Sequence, residues 1–129
     1  MAVDLSTEQI TEIKAVLKKH IPDRIVGVFG SRANGTARSS SDVDLIIFGN
    51  KSIGEEKLLK LKKDFSDSNL PFFVDIVEES TIDKDFKDAI LIEYIILQRS
   101  RAEVIARILA SFLIIIFGFW VFLSIVTVD

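Results

Sequence analysis

The sequence predicts an α/β (α+β) domain, in which helices pack on a small mixed β-sheet, followed by a hydrophobic C-terminal helix. Short apolar runs typical of strands alternate with amphipathic stretches of helical period, and the last quarter of the chain carries much of the hydrophobic content. A length of 129 residues is enough for one domain with a core of its own. We therefore divide the chain into a domain over residues 1–100 and a hydrophobic segment over residues 101–129.

The first half of the domain predicts a helix, two strands and a turn between the strands. A capping signature and helical spacing predict a helix over residues 6–19. An apolar strand over residues 24–29 ends at Gly30-Ser31, and residues 31–36 predict a short helix or turn. A second strand begins at about Asp42. For Ser31 and Asp42 to share a site, the two strands must run antiparallel.

The second half of the domain predicts a helix over residues 53–66, a strand over residues 72–77 and a helix over residues 83–98. The order strand, helix, strand implies a crossover and hence a parallel pair, so the sheet is mixed. The apolar residues of the last helix are too many for one stripe. The remainder needs another partner, either a protein chain or the C-terminal segment.

Two aspartates and a glycine-serine turn form the most informative pattern. Asp42 and Asp44 are two residues apart on a strand, so their carboxylates point to the same face, and a cation must offset their repulsion. Gly30 lets the backbone approach a ligand closely, and Ser31 adds a hydroxyl at a helix start, a setting suited to phosphate. Asp75 interrupts an apolar strand that we expect to be buried, where a charge needs a cation or hydrogen-bond donors.

Gly30-Ser31, ten intervening residues and then Asp42-x-Asp44 resemble the signature of the nucleotidyltransferases related to DNA polymerase β. The longer pattern, GSRANG followed by SDVDL, is most similar to the minimal nucleotidyltransferases, the antitoxins of HEPN/MNT toxin–antitoxin pairs. The resemblance covers roughly residues 5–98. It implies the polymerase β-like nucleotidyltransferase fold.

The resemblance also implies a reaction, the transfer of AMP from ATP to a hydroxyl group. Asp42, Asp44 and Asp75 would hold two Mg²⁺ ions, and Asp75, or water near it, would accept the proton of the attacking hydroxyl. Gly30 and Ser31 would hold the β- and γ-phosphates. For Arg32, at the start of the short helix, a phosphate contact and a structural pairing remain equal alternatives.

The partner implied by the resemblance is a HEPN ribonuclease toxin, whose tyrosine hydroxyl would accept AMP in a hetero-oligomer. A formal net charge of -3 disfavours direct nucleic-acid binding. The absence of cysteine fits a reducing, cytoplasmic compartment, and the first residues lack the basic and apolar pattern of a signal peptide. Two alternatives stay open: an antitoxin that acts by contact alone, and an enzyme that modifies a small molecule such as an aminoglycoside.

Residues Ile108 to Val128 form a stretch of 21 residues without a charge, a feature that the resemblance does not imply. As a helix this stretch reaches roughly 30 Å, the hydrocarbon thickness of a bilayer. Arg101 and Arg107 precede it and only Asp129 follows, which predicts an anchor in the inner face of the cell membrane with the catalytic domain in the cytosol. A buried or oligomer-forming helix, a strand, and a tail from a shifted reading frame are the alternatives.

Overall fold

The computed structural model describes residues 2–127 and divides the chain into two compact units, one ending at Arg99 and one beginning at Ser100. In chain order the first unit contains α1 (Thr7–His20), β1 (Val26–Phe29), α2 (Ser31–Asn34), β2 (Val43–Ile47), α3 (Glu55–Ser66), β3 (Val74–Glu78), α4 (Lys84–Ile92) and β4 (Tyr94–Gln98). The second unit is α5 (Arg101–Val126).

The four strands form one mixed sheet in the order β3-β2-β1-β4. β1 is antiparallel to both β2 and β4, whereas β2 and β3 are parallel because α3 carries the chain from one to the other. The prediction of an antiparallel first pair, a parallel second pair and a mixed sheet is confirmed.

One face of the sheet is closed by the main hydrophobic core, and we call the other, which is covered only in part, the open face. On the closed face, buried residues of β1 and β2 pack against the apolar sides of α1 and α3; the main members are Ile13, Leu17, Val26, Val28, Val43, Leu45, Ile47, Leu61 and Phe65. On the open face, α4 reaches the sheet through Phe86, whose ring lies edge-on to Phe29 with 6.1 Å between the ring centroids. The two faces carry different side chains because successive residues of a strand point to opposite sides of the sheet.

The prediction of one helix over residues 83–98 is wrong in its second half. α4 ends at Ile92, Glu93 takes an extended conformation with φ −151° and ψ 103°, and residues 94–98 form β4. β4 covers the edge of β1 that would otherwise be unpaired, with Phe29 opposite Tyr94 and Gly27 opposite Ile96.

α5 is a continuous helix, so the alternative of a strand in this segment is excluded. Ser100 caps it by accepting a hydrogen bond from the Glu103 N–H at 3.1 Å. No residue of α5 is buried, and by length and composition alone the helix is able to cross a membrane. Val128, the last residue of the predicted anchor, and Asp129, which follows it, lie outside the described residues.

Candidate active site

Gly30 is the point at which β1 turns into α2, and its conformation requires glycine. Its φ of 72° lies in the left-handed region, and a Cβ at this position would stand 2.5 Å from Asp44 Oδ2. Any side chain here would push the carboxylate of Asp44 away. The missing side chain therefore lets an acidic strand residue and a turn meet at van der Waals distance.

Ser31 opens α2, a single helical turn that ends at Gly35. The N–H groups of Ala33 and Asn34 donate to the carbonyl of Gly30, at 3.0 and 3.1 Å. The first N–H groups of such a turn have no acceptor within the helix, so they remain available to an anion above Gly30. The turn that begins with Ser31 thus lies next to the Asp44 carboxylate.

Three carboxylates share the open face next to this turn. Asp42 immediately precedes β2, Asp44 lies on β2, and Asp75 of β3 lies directly opposite Asp44 in the parallel register. Residues opposite each other in neighbouring strands project from the same face, so all three acidic side chains point the same way. The structure brings together the three aspartates that the sequence singled out, beside Gly30 and Ser31.

The three carboxylates also act on one another electrostatically. The pKa of Asp44 is raised above its ordinary value of 3.8, first by partial burial and then by the negative charges of Asp75 and Asp42. Asp42 is exposed, and its Oδ1 accepts a weak hydrogen bond from the Phe73 N–H at 3.3 Å. The site therefore concentrates negative charge and favours a bound cation.

The expectation that Asp75 is buried is wrong, although its position beside Asp44 is the predicted one. β3 is an edge strand, and Asp75 is exposed. The apolar run around it pointed to a central strand, but the apolar neighbours Val74 and Ile76 face the core while Asp75 faces solvent. The charge of Asp75 is therefore hydrated and needs no buried partner.

The phosphate contact considered for Arg32 is not what the structure shows. Arg32 is 5% exposed, and its guanidinium donates to the backbone carbonyls of Asp4, Ser39 and Ser41 at 2.8–3.2 Å. It also lies over the Phe72 ring, 4.8 Å from the centroid. Arg32 therefore has the structural role of the two alternatives. Its hydrogen bonds hold the loop that precedes Asp42.

The donor set fits magnesium as an open site. Within residues 2–127, no three acidic or histidine side chains lie close enough to enclose an ion by themselves. Asp42, Asp44 and Asp75 are nevertheless near enough for their charges to shift the pKa of Asp44. Mg²⁺ takes a few carboxylates and completes its six ligands with water and phosphate oxygens, so a partial set of this kind is suitable.

Sequence reasoning missed the apolar surroundings of the site. A cavity of about 260 Å³ lies beside Gly30, and α4 supplies much of its lining through Phe86 and Ile90. Phe29 of β1 also lines the cavity. The only available signal was the alternation of β1, which places Phe29 on the same face as Asp44, its partner in the register.

A glycine-serine turn beside three carboxylates, on one face of a mixed four-stranded sheet, is an arrangement suited to binding phosphate and cations. The chain belongs to the family described as Polymerase beta, Nucleotidyltransferase, whose model matches residues 11–102. It is therefore a nucleotidyltransferase. A protein of Haemophilus influenzae named Probable protein adenylyltransferase MntA is 33% identical over 102 residues, which is 79% of this chain and 90% of the relative.

Solved structures share the fold. A chain from a structure described as a toxin-antitoxin with AMP-PNP matches with a TM-score of 0.60 and 15% identity, covering 92% of this chain and 98% of that one. A chain from a tri-AMPylated Shewanella oneidensis HEPN toxin in complex with an MNT antitoxin matches with a TM-score of 0.57 and 15% identity, covering 96% and 100%. The matches cover 92% and 96% of this chain, whereas α5 contains 26 of its 129 residues. Each match therefore includes part of α5.

Proposed function

We propose that this chain transfers AMP from ATP to a tyrosine hydroxyl of a HEPN ribonuclease toxin and so acts as its antitoxin. The observation that carries the proposal is the meeting of Asp42, Asp44 and Asp75 on one face beside Gly30 and Ser31. The family and the name of the Haemophilus influenzae relative support protein adenylylation as the reaction. The HEPN complex among the structures that share the fold supports the partner.

Different residues of the site bind the phosphates and accept the proton in an in-line displacement. Gly30 and Ser31 hold the β- and γ-phosphates through backbone N–H groups and the serine hydroxyl. The acceptor oxygen forms a bond to the α-phosphorus while the bond from this phosphorus to the bridging oxygen breaks and pyrophosphate leaves. Asp75, or water near it, takes the hydroxyl proton, and its exposure on an edge strand gives this proton a path to solvent.

Asp42, Asp44 and Asp75 are the residues that would hold two Mg²⁺ ions. Bound there, the ions would neutralise the phosphate oxygens and stabilise the attacking and leaving oxygens. Partial burial and the neighbouring charges that raise the pKa of Asp44 would be offset by such cations. The protein residues position these oxygens, and the missing side chain at Gly30 leaves room for the Asp44 carboxylate beside the turn.

An apolar surface near the site supports a protein partner. Ile92, at the end of α4, is 85% exposed, and Leu91, Phe86 and Tyr94 nearby are also exposed. A patch of this kind is unfavourable in water and is typical of a surface that a protein covers. This exposed apolar patch favours a protein acceptor over an aminoglycoside or a similar small molecule.

We also propose that α5 anchors the protein in the inner face of the cell membrane. Its apolar side chains surround the helix instead of forming one stripe, so a single protein surface would cover only part of them. Ser111, Ser124 and Thr127 each donate to the backbone carbonyl four residues earlier at 2.7–2.9 Å, which satisfies their hydroxyls without water. Arg101 and Arg107 fit the cytosolic boundary.

Mass spectrometry of a co-expressed partner tests the proposed reaction. We expect the HEPN protein from the same organism to gain AMP on a tyrosine when it is produced with this chain. Asp42→Asn should reduce the transfer by at least about 100-fold, because it removes one negative charge from a site that binds cations. Asp88→Asn is the matched control, since Asp88 only pairs with Lys84 on the surface of α4 and its loss should leave activity unchanged.

Two results would contradict the proposal in different ways. If the partner is neutralised but carries no AMP, the chain acts by contact alone, as the first alternative states. If Asp42→Asn retains full transfer, the carboxylates do not bind catalytic cations.

A further inference from the structure

The geometry of the transfer determines the side from which the acceptor approaches, a step that rests on the proposed function. In an in-line displacement the attacking and leaving oxygens lie on opposite sides of the α-phosphorus. The leaving pyrophosphate is held at Gly30-Ser31, which follows β1, while Asp44 and Asp75 lie on β2 and β3. Because the sheet order is β3-β2-β1-β4, the acceptor side of the site is the free edge of β3.

Phe73 stands at this edge and is the most exposed aromatic residue among the described residues of the first unit, at 76%. Its backbone is held in place: its N–H donates to Asp42 Oδ1 at 3.3 Å, and its carbonyl accepts from the Val43 N–H at 3.0 Å. Phe73 lies two residues before Asp75 in an extended segment, so the two side chains project from the same face. An apolar ring therefore stands in water beside the proposed proton acceptor.

A cleft of about 380 Å³ adjoins Phe73. α3 contributes Lys62, Phe65 and Ser66 to its wall, and the segment that leads into β3 contributes Leu70 and Pro71. The lining combines apolar side chains, such as Phe65 and Leu70, with the polar Lys62 and Ser66. Its volume is ample for one large side chain of another protein.

The edge of β3 offers a second kind of contact. β2 occupies one side of β3, and within the described residues no strand pairs with its other side. Unpaired N–H and C=O groups of an edge strand can bind an extended segment of a partner. The ring and the strand edge border the face that carries Asp75, whereas the cleft opens beside Phe73 on the α3 side of the sheet.

We propose that Phe73, the cleft and the free edge of β3 form the docking surface for the acceptor protein. The acceptor would lay the segment bearing its hydroxyl along this edge, insert an apolar or aromatic side chain next to Phe73, and direct an acidic group towards Lys62. This surface would hold the acceptor in line with the α-phosphorus, on the side opposite to the bound pyrophosphate.

The test compares Phe73→Ala, Phe73→Leu and Ile92→Ala in the full chain, with the HEPN protein from the same organism as the probe. The affinity for this protein is measured without ATP, and the KM values for it and for ATP are measured in the transfer reaction. We expect Phe73→Ala to weaken acceptor binding and to raise the acceptor KM by about tenfold or more, with the KM for ATP within twofold of wild type. Phe73→Leu should recover part of the loss because it restores apolar area.

Several outcomes overturn this docking surface. A rise in the KM for ATP instead of the acceptor KM would show that Phe73 contacts the nucleobase. A loss of acceptor affinity in Ile92→Ala alone would place the docking surface on α4. If the wild type binds the acceptor without transferring AMP, the proposed function fails, while the affinities still decide whether Phe73 contacts the acceptor.

Discussion

At the scale of single residues, close neighbours determine what the site residues do. Gly30 is required because a Cβ would collide with the Asp44 carboxylate, and the missing side chain leaves room for Asp44 beside the turn. Arg32 illustrates the reverse: a cation next to a phosphate-binding motif turns inward because three backbone carbonyls and an aromatic ring satisfy it. Motif position alone could not distinguish these two settings.

The raised pKa of Asp44 leads to a prediction about stability. Since its pKa in the folded protein lies above the ordinary 3.8, the folded state binds this proton more tightly than the unfolded state does. Its ionised form therefore lowers stability at neutral pH, and this penalty disappears as the pH falls through the raised pKa. In EDTA at pH 7, Asp44→Asn should raise the Tm by about 2–4 °C, corresponding to about 0.5 kcal/mol at a partly exposed site.

Thermal unfolding at pH 7 and at about pH 4 measures this effect. The gain in Tm should shrink at the lower pH, and Asp88→Asn should give no comparable gain at either pH. An unchanged or lower Tm for Asp44→Asn at pH 7 would mean that burial and the neighbouring charges together do not penalise the ionised Asp44 carboxylate appreciably.

At the scale of elements, Glu79 links the ends of β2 and β3 to α4. Its Oε2 accepts from the Gly49 N–H at 2.7 Å, and its Oε1 pairs with Lys87 Nζ at 2.6 Å. The hydrogen bond from Lys87 and then the one from Gly49 hold the pKa of Glu79 below its ordinary 4.5. The lowered pKa means that this carboxylate stabilises the fold above pH 4.5, and that the stabilisation is lost as the pH falls through the folded-state pKa.

Glu79→Gln should therefore lower the free energy of unfolding by about 1 kcal/mol at pH 7, because a charge-assisted hydrogen bond and an ion pair are weakened. The difference from wild type should diminish below about pH 4. Urea unfolding at the two pH values measures it. Glu56→Gln is the control: Glu56 pairs with Lys60 on the exposed side of α3, so its loss should have almost no effect. Equal effects of the two substitutions would argue against the link to α4.

At the scale of the whole molecule, the chain consists of a compact catalytic unit and a separate apolar helix. The core of the catalytic unit is formed by residues 13–97, so this unit contains the packing that it needs without α5. If α5 is the membrane anchor, it determines where the protein is located, and the first unit carries out catalysis without it.

Deleting residues 101–129 should move the protein from the membrane fraction to the supernatant while ATP binding stays within about twofold of the full chain. Ile115→Lys is a more conservative variant, because a lysine at the centre of a spanning helix opposes insertion by about 2.5–3.5 kcal/mol. Fractionation after an alkaline wash measures both. A full-length chain that is already monomeric in the supernatant would refute the anchor.

The sequence by itself determined most of the sheet and the identity of the site. Strand alternation, the turn at Gly30 and the two-residue spacing of Asp42 and Asp44 are local, and local spacing decides on which face a side chain lies. The order of elements also determined the parallel pairing of β2 with β3, because a crossover helix leaves little choice.

Only the tertiary structure decided three points, each of which depends on residues far apart in the chain. Residues 94–98 became β4 instead of helix because the open edge of β1 needed hydrogen-bond partners, and their apolar run suits either conformation. Arg32 turned inward because Asp4 and the loop before Asp42 supplied carbonyl acceptors. Asp75 stayed in water because β3 lies at the edge of the sheet, and strand order is a property of the assembled sheet rather than of any single segment.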